Sequence, residues 1–292
     1  MKPNLVFFGS PEFSATILES LIKLNTINVV GVVTTPDKPS GRNLSLLPSP
    51  VALISGKYNL PVYKPHQLDE ANLAHLKLLK PDIFLIVSFG KMIPETYIKT
   101  PTIGIFNIHF SLLPKYRGAL CISEAIKNQD EITGVTLLEM DNLLDHGPII
   151  SQAKITVDIN DNVATLTKKL TQTAIVLLAD KLPEICAGNY SKTAQDETKV
   201  VFTPSHKTLN RESAFISFNK ILAAQNGSDA KKVHATIRSL NPDPGAWTTI
   251  DGTNVKIIST SLVDNKLILN RIQLSGKSPI SWKQYLSGHP LP

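Results

Sequence analysis

The sequence predicts an α/β protein, with an open, mostly parallel, Rossmann-like sheet followed by a smaller C-terminal OB-like β-barrel domain. Three observations predict it. Strand-like and helix-like stretches alternate through the first half, one of those strands is apolar on both faces, and after about residue 190 the alternation gives way to short strands around one helix. The 292 residues are 42% hydrophobic and 18% charged, enough apolar material for one large domain or two ordinary ones.

The elements follow in order. Asn4–Phe8 is a short apolar run ended by Gly9-Ser10-Pro11, and the next stretch, to Leu24, repeats apolar residues at three- and four-residue spacing (Phe13, Ile17, Leu18, Leu21, Ile22), as one face of a helix does. Ser10 before Pro11 predicts an N-cap ahead of a first-turn proline. Val29–Thr34 is a β-branched strand, and Leu73–Leu79 reads as a helix that stops before Pro81. Ile83–Val87 (IFLIV) is apolar throughout, as a central parallel strand buried on both faces should be. Gly104–His109 and Gly134–Met140 are further strands, and Val163–Ala179 is helical. Asn189–Lys199 is polar and aperiodic, which sets a linker over 190–205 between domains 1–189 and 206–292. Beyond it come Ala214–Phe218, an amphipathic Asp229–Leu240, and strands at Trp247–Ile250, Asn254–Ile258, Leu267–Leu274 and Ser281–Tyr285, separated by turns such as Asp251-Gly252.

Composition excludes several classes. Two cysteines cannot make a disulfide framework, no Cys-x-x-Cys suggests zinc, and no metal site is expected. No signal peptide fits the N-terminus and no stretch approaches the ~20 apolar residues of a membrane span, so a soluble cytoplasmic protein with no membrane partner is expected. The charge is uneven. Residues 206–292 hold eleven Lys and Arg against five Asp and Glu, an excess of six that equals the +6 of the whole chain. Clustered cations suit a polyanion, because they release counterions from a phosphate backbone; a basic surface serving solubility explains them equally.

Four segments carry candidate chemistry. Gly9-Ser10-Pro11-Glu12-Phe13 lacks the second and third glycines of a dinucleotide loop and reads as a plain strand-to-helix turn. Asn107-Ile108-His109 ends a strand, where alternation puts Asn107 and His109 on one face about 7 Å apart. Open parallel sheets place ligands at that end. An amide and an imidazole there suit oxyanion stabilisation and proton movement, or else make a hydrogen-bonded strand-end pair. Asp145 follows the strand GVTLLEM in a loop bent by Gly147 and Pro148; it either faces a histidine of the neighbouring strand, favouring its protonated form, or simply forms a turn. Ser111–Gly118, a basic loop directly after the Asn107–His109 strand, offers backbone donors and a cation, or is a surface connection.

Taken together, NIHFSLLPKYRGA and GVTLLEMDNLLDHGPII resemble the folate-dependent formyltransferases, whose signature is Asn-x-His, Ser-Leu-Leu-Pro and a downstream Asp in one order and spacing. FFGSPEF, VVTTPDKPSGR with SPV, and PDIFLIVSFGKMIP extend the resemblance, while IRSLNPDPGAW and LSGKSPISWKQYLSG are similar to the barrel appended in the branch that acts on methionyl-tRNA. The likeness covers most of 4–152 and continues in patches. It implies transfer of a formyl group from 10-formyltetrahydrofolate to the α-amino group of methionine on initiator tRNA, without a metal. Asn107 and a protonated His109 would hold the tetrahedral oxyanion, and Asp145 would orient the histidine and relay the proton. Folate would meet Ser111, Leu112, Leu113 and Pro114 together with the backbone of the loop Ser88, Phe89, Gly90 to Met92 and the loop before Asp145. Arg42 would reach the acceptor stem, and Lys38, Lys231, Lys232 and Arg238 would also bind the tRNA. With no exposed heptad and no long unpaired apolar segment, a monomer is expected.

The chain departs from the family pattern in places. Asn43-Leu44-Ser45 replaces a Gly-Lys-Lys run, Ser88-Phe89-Gly90 replaces Ala-Tyr-Gly, Ala119-Leu120-Cys121-Ile122 replaces Ala-Ala-Pro-Ile, and 203–220 is poorly recognisable. These changes bear on tRNA binding more than on the chemistry. The rival readings are a sugar-nucleotide N-formyltransferase with the same trio, a deformylase that lets water attack the formyl group, and a non-catalytic RNA-binding protein.

Overall fold

The structure, a computed structural model, describes residues 2–40 and 45–289. It divides into two compact units, one built from 1–117, 134–155 and 168–201, the other from 118–133, 156–167 and 202–292. The strands in chain order are β1 (Asn4–Gly9), β2 (Asn28–Val33), β3 (Lys38–Ser40), β4 (Ser45–Leu47), β5 (Val62–Tyr63), β6 (Ile83–Val87), β7 (Gly104–His109), β8 (Lys115–Arg117), β9 (Ile132–Glu139), β10 (Ile149–Thr156), β11 (Val201–Phe202), β12 (Trp247–Ile250), β13 (Thr253–Val263), β14 (Lys266–Leu274) and β15 (Ile280–Ser281). The helices are α1 (Glu12–Lys23), α2 (Pro50–Lys57), α3 (Glu70–Leu78), α4 (Glu95–Ile98), α5 (Cys121–Lys127), α6 (Val163–Cys186), α7 (Phe218–Gln225), α8 (Ala230–Leu240) and α9 (Trp282–Gly288).

The first unit is organised by a seven-stranded sheet in the order β10-β9-β7-β6-β1-β2-β5. Pairs β1–β2, β1–β6, β2–β5 and β6–β7 are parallel, and β9 runs antiparallel to β7. The chain winds outward from β1 to β2 and β5, then returns to β6 on the other side, so the strand order reverses beside β1. Crevices at the carboxyl ends of strands flanking such a reversal are where open α/β sheets take ligands. All five residues of β6 are buried, which matches its uniformly apolar sequence. Phe8, Phe84 and Phe89 pack as a ring cluster with centroids 5.1 and 5.5 Å apart, fixing the start of the loop after β6.

The second unit holds an antiparallel sheet, β12-β13-β14-β15, with a long β13–β14 hairpin and the helices α7, α8 and α9. Its core is Ile221, Val233, Ile237, Val255, Ile257, Leu267 and Ile272 with their neighbours. Residues 118–133 and 156–167 cluster here because α5 packs on α8, and because His234 and Arg238 of α8 reach the carbonyls of Ile159 and Asp161.

Two local expectations are corrected. Of the expected strand Ser281–Tyr285 only Ser281 is strand, ending β15, and Trp282–Tyr285 are the start of α9: Ser281 caps that helix, accepting from Gln284 N at 3.2 Å, while the Gln284 side chain accepts from Ser281 N at 2.9 Å. That reciprocal capping box outweighs the strand-like composition. Ser10 does not cap α1, which has Pro11 at its cap position; the Ser10 hydroxyl accepts instead from Thr35 N at 3.3 Å, tying the ends of β1 and β2 together. Among the described residues no helix is long and apolar enough to cross a membrane.

Candidate active site

Asn107 and His109 lie on one face of β7, with Ile108 buried on the other. Both polar side chains are nearly enclosed, at 9% and 6% exposure, so each must find partners within the protein or a ligand. Antiparallel pairing sets His109 opposite Thr136 and Asn107 opposite Leu138 of β9. β9 ends beside Phe106 and Ile105, toward the start of β7, so the loop after it has to turn back to reach Asn107 and His109.

That loop carries Asp145 in the left-handed region at φ +48°. It is shaped by its own side chains: Asp141 Oδ1 accepts from Leu143 N at 2.9 Å, and Asp141 Oδ2 lies 2.5 Å from His146 Nδ1. It also sits tightly against β9. A Cβ on Gly147 would fall 1.9 Å from the Glu139 carbonyl oxygen, a backbone atom that cannot swing away, so only glycine fits. The result brings the three predicted residues together. Asp145 Oδ1 accepts from Asn107 Nδ2 at 3.3 Å, and Asp145 Oδ2 lies 3.6 Å from His109 Nδ1. His109 Nε2 donates to the Tyr116 carbonyl at 2.9 Å. With a carbonyl at one ring nitrogen and a carboxylate facing the other, a ring carrying hydrogen on both nitrogens satisfies both acceptors.

The loop after β7 is held by buried hydroxyls. Ser111 Oγ donates to the Lys115 carbonyl at 2.6 Å, and Thr136 Oγ1 donates to the Ser111 carbonyl at 2.7 Å while accepting from Leu113 N at 3.1 Å. Ser111 and Leu113 are thus interior, and Leu112 and Pro114 are half-buried. In the loop after β6, Ser88 and Gly90 take positive φ (+53° and +78°) and are exposed; the Phe89 ring is buried in the core, and Met92 is exposed. The backbone of 88–90 and the Met92 side chain thus lie at the surface, and the Phe89 side chain does not.

Of the residues expected to meet tRNA, Lys38 on β3 and Lys231 and Lys232 on α8 are exposed, and Arg42 lies outside the described residues. Arg238 is corrected. It is 7% exposed, and its Nη1 donates to the Asp161 carbonyl at 2.7 Å, so it is an internal donor and presents no cation to a phosphate.

The residues 190–201, predicted as linker, run along this same site. The Tyr190 ring lies edge-on to Phe106, 5.9 Å between centroids, and Lys192 pairs with Glu139 at 2.5 Å. Thr193 and Ile149 exchange both backbone bonds at 2.8 and 2.9 Å. Further along, Gln195 reaches the Asp145 loop and the buried Arg117. Sequence reasoning missed Gln195, and it read Arg117 only within the basic Ser111–Gly118 loop as a candidate cation for a substrate. Gln195 stands in an aperiodic polar stretch and its partners lie 50 and 78 residues away, so no local pattern marks it.

An amide and an imidazole sharing one carboxylate at the carboxyl edge of such a sheet define a site suited to acyl-group transfer, where a developing oxyanion needs donors and a proton must move. The comparisons with known proteins agree. Residues 3–182 match the family model described as formyl transferase, and residues 212–267 match that of the formyl transferase C-terminal domain. The chain is 40% identical over 266 residues to the methionyl-tRNA formyltransferase of Staphylococcus aureus (strain Newman), covering 91% of this chain and 81% of that protein. Among solved structures, an N-formyltransferase from Helicobacter canadensis, in complex with folinic acid and dTDP-3-aminofucose, superposes with a TM-score of 0.67 at 21% identity, over 94% of this chain and 96% of that one. A 4-N formyltransferase from Francisella tularensis superposes at 0.66 with 16% identity, over 88% and 96%. Likeness at those identities speaks for the fold alone. The chain belongs to the formyl transferase family.

Proposed function

We propose that the protein transfers the formyl group of 10-formyltetrahydrofolate to the α-amino group of methionyl initiator tRNA, in the cytoplasm and as a monomer. The observation that carries the chemistry is the Asp145 carboxylate within 3.3 Å of the Asn107 amide and 3.6 Å of the His109 imidazole. The acceptor is supported by the 40% identity to a methionyl-tRNA formyltransferase over 91% of the chain.

In this reading the amine nitrogen attacks the formyl carbon and forms a C–N bond, and the carbonyl oxygen becomes an oxyanion. Asn107 and the protonated His109 stabilise that charge, the ring through its positive charge because its two N–H groups face the Tyr116 carbonyl and Asp145; a donor aimed at an oxyanion is typically worth ~3 kcal/mol, a factor of 10²–10³. Collapse of the intermediate breaks the bond to folate N10. The proton lost by the amine is passed to N10, with His109 and Asp145 as the relay. The folate donor lies along the backbone of 88–92, beside Leu112 and Pro114 and the exposed Leu143 and Leu144 before Asp145, while Ser111 and Leu113 keep the loop's shape. Arg42, Lys38, Lys231 and Lys232 contact tRNA.

Initial rates with 10-formyltetrahydrofolate and three acceptors (methionyl initiator tRNA, an amino sugar nucleotide, and buffer alone) test the proposal. Formyl-methionyl-tRNA is the expected product. Preferential formylation of the amino sugar, or formate released equally fast without any amine, would overturn it.

A further inference from the structure

We infer that Gln195 is a positioning residue for the reaction, holding the Asp145 carboxylate against His109 from the segment that follows α6. The inference rests on the function proposed above.

The geometry leaves this amide one orientation. Gln195 Nε2 donates to the carbonyls of Asp145 at 2.8 Å and Gly147 at 2.9 Å. Gln195 Oε1 accepts from Arg117 Nε at 3.1 Å and Arg117 Nη2 at 2.9 Å. Backbone carbonyls only accept and a guanidinium only donates, so the amide nitrogen must face the loop and the oxygen must face Arg117. Arg117 is itself fixed. It is 2% exposed, and Glu197 holds it bidentately at 2.6 and 3.1 Å, an arrangement that keeps the Glu197 carboxyl below its ordinary range.

The loop needs such a clamp. Residues 141–147 form no helix or strand, and Asp145 has the left-handed φ that a non-glycine residue adopts only when its surroundings impose it. Gln195 bridges the carbonyls on either side of His146, fixing the backbone at Asp145 itself. Its anchor, Arg117, adjoins Tyr116, whose carbonyl accepts from His109 Nε2. Residues 116–117 therefore hold both members of the His109–Asp145 pair, one through a carbonyl and the other through Arg117 and Gln195. The segment supplying Gln195 is pinned on both sides, by the Thr193–Ile149 pair and by Val201 N donating to the Pro114 carbonyl at 3.3 Å. Misplacing a catalytic group by about 1 Å costs on the order of a hundredfold in rate.

Gln195→Met keeps the length and removes both polar faces. Gln195→Glu keeps an acceptor for Arg117 but turns a bare oxygen toward two carbonyls. In the full-length protein both variants should lower kcat by roughly tenfold to a hundredfold. KM for each substrate should stay at wild-type values, the melting temperature should fall by only a few degrees as the bonds to Arg117 and the two carbonyls are lost, and Glu should restore nothing. Wild-type kcat in either variant, a parallel fall of kcat, substrate affinity and melting temperature, or failure of both variants to fold would overturn the inference in favour of an inert or merely structural contact. Wild-type protein inactive on methionyl-tRNA would count against the proposed function instead. The crystal structure of Gln195→Met then decides separately: an Asp145 carboxylate displaced from His109 supports the clamp, and one left in place overturns it.

Discussion

Among the described residues two histidines are buried, and their surroundings differ. His109, at the end of β7 in the first unit, has the Tyr116 carbonyl 2.9 Å from Nε2 and the Asp145 carboxylate 3.6 Å from Nδ1. His234, on α8 in the second unit, is 0% exposed, with the Ile159 carbonyl 2.9 Å from Nε2 and the Thr260 hydroxyl 2.7 Å from Nδ1. A carbonyl and a hydroxyl satisfy a neutral ring, one nitrogen donating and the other accepting. Burial, helped by the Arg238 charge, accordingly pushes the His234 imidazole below its usual range. A carbonyl and a carboxylate suit a ring with two hydrogens. Burial alone therefore does not fix a histidine's surroundings: the second nitrogen of His234 faces a hydroxyl, and that of His109 a carboxylate.

The largest effect that would break or sharpen this contrast belongs to His109→Ala. It should lower kcat about 10³-fold with donor affinity within a few-fold, as equilibrium binding alongside turnover checks, because the ring acts in the transition state. Asp145→Asn should cost roughly 10²-fold in kcat: the amide keeps the loop's shape but removes the charge facing Nδ1. Gly147→Ala should cost about tenfold or more in kcat, since the new methyl meets the Glu139 carbonyl and the loop carrying Asp145 must move. Lys231→Ala with Lys232→Ala should weaken tRNA binding a few-fold and reduce the slope of log affinity against log salt by about two, while leaving turnover of saturated enzyme unchanged.

The smallest effect concerns His234. Its folded-state value is depressed, so its contribution to stability is complete above the unfolded value near 6.5 and is lost as pH falls through the lower folded value. Melting temperature should drop as pH is lowered from 7.5 to 5. His234→Gln, which cannot be protonated, should flatten that dependence by roughly a few degrees.

Legibility in the sequence followed the range of the interaction. Asn107 and His109 were legible because a two-residue spacing on a strand fixes a common face whatever surrounds it. β6 was legible because a five-residue apolar run between a proline turn and a loop has few other fates. Asp145 became legible only through resemblance, since a loop aspartate before glycine has an ordinary turn-forming explanation. Arg238 misled because helical periodicity reports which face a residue occupies and not whether a carbonyl lies within reach; the Asp161 carbonyl that takes it inward is 77 residues upstream. Trp282–Tyr285 misled because a short segment after a turn in a run of strands reads as one more strand, while the helix-start signal, a serine with a glutamine three residues on, is equally local. Gln195 was illegible because every contact that defines it is long-range.

The central claim is that Asn107, His109 and Asp145 act as one unit on one carbon. Single-turnover transfer to methionyl-tRNA in wild type, His109→Ala, Asp145→Asn and the double variant tests it most directly. The account predicts that the double variant is scarcely slower than His109→Ala, because the carboxylate works through the ring. Losses that multiply, with the double variant slower by the full product of the two single effects, would contradict it.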